Sequence, residues 1–100
     1  LPADVVAAAI ACFESGDARG ALSLLYRGAL IHLVRGMGLR IPESATEVEC
    51  ERIASESLPQ ALASDFAELS RACAYAHRAL PPAEFTQLCR RWSPHLAGAA

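Results

Sequence analysis

Apolar residues recur along this chain at helical spacing, and no window shows the alternation of Val, Ile, Thr and aromatic residues that a half-buried strand requires. The longest apolar run is Ala21–Val34, ALSLLYRGALIHLV, whose polar interruptions are Ser23, Arg27 and His32. Projected at about 100° per residue, Leu22, Leu25, Ala29 and Leu33 form one stripe flanked by Tyr26 and Leu30, and Ser23, Arg27 and Arg35 fall on the other side. An arc this wide predicts a central helix touched by neighbours on several sides. A bilayer span is excluded, because the run is shorter than the roughly 20 residues required and carries Arg27 at its middle.

Around this strut the pattern predicts four more helices. The first runs from Ala3 to Ser15, with Pro2 in its first turn, Asp4 near its positive end and Val6, Ala9, Ile10 and Phe13 inward. Gly16 ends it and Asp17 caps the central helix, which extends from Ala18 to Arg35. Gly36-Met37-Gly38 stops that helix, and a loop with Pro42 leads to Thr46-Glu-Val-Glu49, a capping box that opens a third helix ending by Ser57. Cys50, Ile53 and Ala54 give this helix a narrow apolar face. Ser57-Leu-Pro-Gln60 repeats the capping pattern and can open a fourth helix, for which Ser64-Asp65 offers a second start; Leu62, Phe66, Leu69, Cys73, Ala76 and Leu80 form its stripe, ended by Pro81-Pro82. Phe85, Leu88, Cys89 and Trp92 are the buried face of a fifth, closed by Pro94. The expectation is a single all-α domain over residues 1–96, a compact bundle of about five helices, followed by a disordered tail at 97–100.

Composition narrows the class further. One hundred residues suffice for one core, and a hydrophobic fraction of 53% with only 6% aromatics implies thin, closely packed helices. The net charge of −2 offers no general attraction to nucleic acid. The charge is unevenly placed: acids dominate residues 1–18 and 41–70, arginines dominate 19–40 and 71–91, so helices are expected to pair by charge. All nine basic residues are arginine, which removes lysine chemistry from every mechanism. Cys12, Cys50, Cys73 and Cys89 lie far apart without framework spacing, and read as reduced thiols packed in helices.

Particular residues carry two resemblances. Ala11-Cys-Phe-Glu-Ser-Gly-Asp17 with Ala21-Leu22 and Leu25 looks like the helical hairpin of a tetratricopeptide repeat, over one hairpin only. Over most of the chain, Gly16-Asp17, Leu25-Tyr26, Thr46-x-x-Glu49, Phe66 and Leu69 resemble the bacterial domain-of-unknown-function family 4129. The chain departs from that family at Arg78-Ala79, where the family carries a Tyr-Gly-like element. The resemblance implies a C-terminal domain that follows a membrane-spanning helix, often beside a transglutaminase-like domain. It thus implies a place on the cytoplasmic side of the bacterial inner membrane, and it implies no assigned activity.

No Gly-rich phosphate loop, paired catalytic carboxylates, dinucleotide fingerprint or zinc-spaced cluster is present, so a non-catalytic domain without a cofactor is expected. The favoured reading is a protein-interaction domain with Tyr75, Arg71 and Arg78 on the outer face of the fourth helix as contact residues. A homo-oligomer is compatible with it, as is a peptide groove between the first two helices. Arg27 and Arg35 on the central helix are expected to pair with the acidic third helix; left unpaired, they would suit a carboxylate, a phospholipid head group or nucleic acid. Cys73 and His77, four residues apart on one helical face, are the weak candidates for a metal or small-molecule sensor. His32 reads as a hydrogen-bonded histidine at the core edge.

Overall fold

Regular structure over residues 1–96, those described by the computed structural model, is helical throughout. Five α-helices are formed: α1 (Val5–Glu14), α2 (Ala18–Ile31), α3 (Glu47–Ser57), α4 (Gln60–Ala74) and α5 (Pro82–Leu96). One π-helical turn, His32–Gly36, continues α2. The expected tail at 97–100 lies outside the described residues. As the stripe required, α2 is the centre: α1, α4 and α5 all pack on it, and α3 sits at the edge against α4.

Local chemistry sets the helix ends. Asp4 caps α1 by accepting from the Ala7 amide at 3.0 Å, so α1 begins at Val5 and leaves Pro2 outside. Gly16 takes a φ of 94° and Asp17 accepts from the Gly20 amide at 2.8 Å. A β-carbon on Gly20 would collide with Asp17 Oδ2, so the capping carboxylate occupies the space that a larger residue needs. The Thr46 capping box forms in both directions, Glu49 N–H to Thr46 Oγ1 at 3.2 Å and Thr46 N–H to Glu49 Oε1 at 3.3 Å.

The core is built on Leu22, Leu25, Leu33, Phe66, Leu69 and Trp92, all fully buried. Its aromatic members are in contact: Phe66 meets Trp92 edge-on at 6.4 Å and Tyr26 stacks on Phe66 at 5.5 Å. Phe13 of α1 stacks on Phe85 of α5 at 4.2 Å, tying those two helices together beside α2.

Several expectations are corrected. Val5, not Val6, is the fully buried residue of the first turn, and Ile10 is 40% exposed, because α1 is covered by α2 and α5 on one side only. Ser57 is the last residue of α3 and caps nothing; α4 starts behind Pro59 without a side-chain cap. Helix α4 stops at Ala74, leaving Ala76 and Leu80 outside it. Pro81-Pro82 confine the preceding residues to extended backbone, and α5 already begins at Pro82, so the chain must reverse over 75–81. Pro94 does not close α5, which runs on to Leu96. The missing Pro94 amide removes one helical bond, and burial of Leu96 against Gly28 and Val5 holds the last turn in place.

The charge blocks pair less than their alternation implies. Among the described residues one ion pair joins two helices, Arg91 to Glu68, and one lies within α3, Arg52 to Glu56 at 2.6 Å. Arg27 and Arg35 make no pair with α3, since α3 packs on α4 and turns its acids to solvent.

Leu25→Ala is expected to destabilise the fold by about 2–5 kcal/mol. Ile10→Ser, at a position the stripe alone would place in the core but which stays 40% exposed, is expected to cost only about 1 kcal/mol. Urea unfolding of both variants measures the difference, and equal losses would refute the one-sided covering of α1.

Candidate functional site

The interaction residues expected on α4 converge on a real surface feature. Arg71 near the end of α4, Tyr75 at its C-cap, Arg78 in the following turn and Glu84 and Arg91 on α5 surround a hollow of about 550 Å³. The early end of α4 creates it: with no helix over residues 75–81, the chain swings outward and opens a corner between α4 and α5. Tyr75 is 52% exposed, and the Arg78 guanidinium lies over its ring at 5.1 Å. Arg91 is engaged by Glu68, which leaves Arg71 and Arg78 against the one carboxylate of Glu84 and makes the mouth net basic. Tyr75 is thus not on the outer face of a continuing helix, as expected, but at the corner where the helix ends.

The same helix end separates Cys73 from His77. Cys73 stays on α4, half-buried, its thiol directed at the Leu22 carbonyl at 3.7 Å and pushed up to about 11 by burial, with the Glu47 carboxylate adding to the effect. His77 is exposed in the turn, near Tyr75 at 6.3 Å between ring centres. The two no longer share a helical face, and no three metal-binding side chains cluster among the described residues. Cys50 and Cys89 are buried, and burial raises both thiols above their ordinary value. The Tyr26 hydroxyl is buried without a hydrogen bond of good geometry. Burial first, then the Cys50 thiol and the Glu47 carboxylate, hold it far above the usual phenol range.

Arg27 is exposed on α2 and lines none of the hollows. Arg35 lies in the π turn and lines a second hollow with His32, His95 and the start of the chain. His32 differs from its sequence reading: its Nε2 is buried and has no partner, and its ring stands 5.1 Å from that of His95. Burial, and then the neighbouring His95, lower its proton affinity. Nothing in the sequence joins two histidines that lie so far apart along the chain, and His95 fell beyond the expected end of the last helix. A third groove, apolar and about 470 Å³, runs between α1 and α5 along Val6, Ile10, Phe13 and Cys89. This groove lies between α1 and α5, whereas the peptide groove was expected between α1 and α2, which pack extensively on each other.

No family model matches the chain, and no curated protein or solved structure shows significant similarity to it. Among the described residues no helix is long and apolar enough to cross a membrane.

The buried acids and base define a pH window for stability. When unfolded, the thiols ionise near 9 and the phenol near 10, whereas folded Cys50, Cys73, Cys89 and Tyr26 retain their protons. The unfolded chain then binds fewer protons, so this stability is complete below about pH 9 and is lost as pH rises beyond it. His32 titrates below 6.5 when folded, so its contribution is complete above that value and falls as the unfolded imidazole takes up a proton. Urea midpoints at about pH 5.5, 8 and 10 are expected to peak at the middle value. A midpoint that is flat from 8 to 10 would contradict the buried-thiol assignment.

Proposed function

We propose that the chain is a non-catalytic protein-interaction domain whose contact surface is the hollow between α4 and α5. The observation that carries the reading is the convergence of Arg71, Tyr75 and Arg78 on one exposed corner. An exposed aromatic ring backed by guanidinium groups is the kind of anchor that supplies most of the energy at protein interfaces. Its net basic mouth suits an acidic segment of a partner protein, with Arg71 offering a planar fork to a carboxylate and Tyr75 a flat apolar face.

The resemblance to family 4129 supports placing this domain in a membrane-anchored bacterial protein, on the cytoplasmic side of the inner membrane, as an accessory to another domain. In that setting the hollow would recognise a protein partner, which includes a second copy of the chain, and not nucleic acid. Arg27 and Arg35, which join none of the ion pairs among the described residues, favour a second reading in which α2 contacts an anionic lipid surface.

A photo-reactive residue placed at Tyr75 is expected to cross-link a partner in the native cell, while the same group at Val48, 77% exposed on α3, is expected to give none. Arg71→Glu with Arg78→Glu should reduce the cross-link at least tenfold with helical content unchanged. Equal labelling from both positions would refute the assignment. Salt-sensitive binding to anionic vesicles that is lost in Arg27→Ala, with no cross-link from Tyr75, would establish the second reading instead.

A further inference from the structure

The hollow at the far end of α5 has a different composition from the proposed contact surface. It measures about 810 Å³ and lies where the π turn after α2, the end of α5 and residues 1–5 meet. Its walls include Val5, Ile31 and Leu96, and its polar side chains are His32, His95 and Arg35. Among the described residues no carboxylate side chain lines it. From α2 and its π turn the titratable or charged groups are His32 and Arg35; from α5 there is His95; the N-terminal stretch Leu1–Val5 contributes no titratable side chain to the lining. Every ionisable side chain facing the space is therefore neutral or cationic.

The site is assembled around His32. A β-carbon at position 36 would stand 3.0 Å from His32 Nδ1, so the imidazole lies directly against Gly36 and its position depends on that glycine. Nε2 is buried with no hydrogen-bond partner among the described residues, which ordinarily costs stability, and the same side chain lines the hollow. Two of the carbonyls at the end of the helix, which would otherwise repel an anion, are occupied: His32 O accepts from the Met37 amide at 3.1 Å and Leu33 O from the Leu39 amide at 2.9 Å. A π turn is a rare element that recurs at functional sites, and here it carries two of the three polar groups.

We propose that this hollow binds a small organic monocarboxylate, with its carboxylate held among Arg35, His32 and His95 and its apolar part against Val5, Ile31 and Leu96. One permanent guanidinium matches one negative charge, and its planar fork matches a carboxylate. The apolar walls select a ligand with a hydrocarbon portion over a bare ion. Each histidine can donate one hydrogen bond when neutral and gains a charge when protonated, so the ligand is held more tightly as pH falls through the imidazole range. Two imidazoles without an acidic group, beside a fixed positive charge, do not make a favourable seat for a divalent cation.

The test is titration of the protein with hexanoate at about pH 6, followed by the histidine ring signals in NMR. Saturable shifts confined to the rings of His32 and His95 are expected, with hexanoate at least tenfold tighter than acetate or inorganic phosphate. The proton affinity of His32 should rise on saturation, a response that indirect structural effects would not produce. Arg35→Ala, at an exposed position that does not support the core, should weaken hexanoate at least tenfold with the thermal midpoint unchanged. His32→Gln should weaken the pH dependence, and His32→Gln combined with His95→Gln should remove it. No saturable shift, equal binding of acetate or phosphate, indifference to Arg35→Ala, or binding of Zn²⁺ alone would each overturn the proposal.

Discussion

The fold depends on covering α2. Of its fourteen residues, the exposed ones are Arg19, Ser23, Arg27 and Ile31, a single line at four-residue spacing, and every other position is buried or half-buried. One neighbour covers about a third of a helix, so three are needed, and α1, α4 and α5 supply them. Close approach is possible because small residues are interspersed with the leucines. Ala21 and Ala29 are fully buried, and Gly28 lies so near Val5 that a β-carbon would stand 3.0 Å from its Cγ1. The high alanine content is thus a packing requirement, and the few aromatics fill the space between helices that cannot approach so closely.

That arrangement also decides the electrostatics. With three sides of α2 occupied by α1, α4 and α5, the acidic α3 is left to pack on α4, and its carboxylates face water. Charges that alternate in sequence do not meet in space. Pairing occurs within α3 at four-residue spacing and once between α4 and α5. Such exposed pairs contribute little to stability, about 0–1 kcal/mol each. Three of the arginines left over lie toward the two ends of α5, Arg71 and Arg78 by its start and Arg35 by its finish.

Helix number, the identity of the central strut and the caps at Asp17 and Thr46 were legible because each rests on short-range chemistry: periodicity, a glycine able to take positive φ, an oxygen three residues before an amide. What the sequence concealed was decided at longer range. A stripe continuing through Ala76 and Leu80 is indistinguishable from a helix until α5 claims Pro82 and forces the reversal. Pro94 reads as a stop until the burial of Leu96 outweighs one missing hydrogen bond. The contact residues Arg71, Tyr75 and Arg78 were legible as a polar cluster, but their hollow was not, since it exists only because α4 ends early. The approach of His32 to His95 had no sequence signal at all.

The π turn is where these constraints conflict most sharply, and the outcome bears on function. Adding one residue to a helical repeat rotates the downstream chain by about 100° relative to a continuous α-helix. Here the Met37 amide reaches back to His32 and Gly38 takes a φ of 71°, and Leu39 then returns to the core with its amide on Leu33. Burial of Leu33 and Leu39 on either side fixes the turn, and Gly36 leaves room for the imidazole. The fold therefore maintains a distorted helical turn and an unpartnered imidazole nitrogen at the same place. Core packing accounts for the turn, since it returns Leu39 to the interior, and the same packing leaves the His32 nitrogen, like the Tyr26 hydroxyl, buried without a protein partner among the described residues.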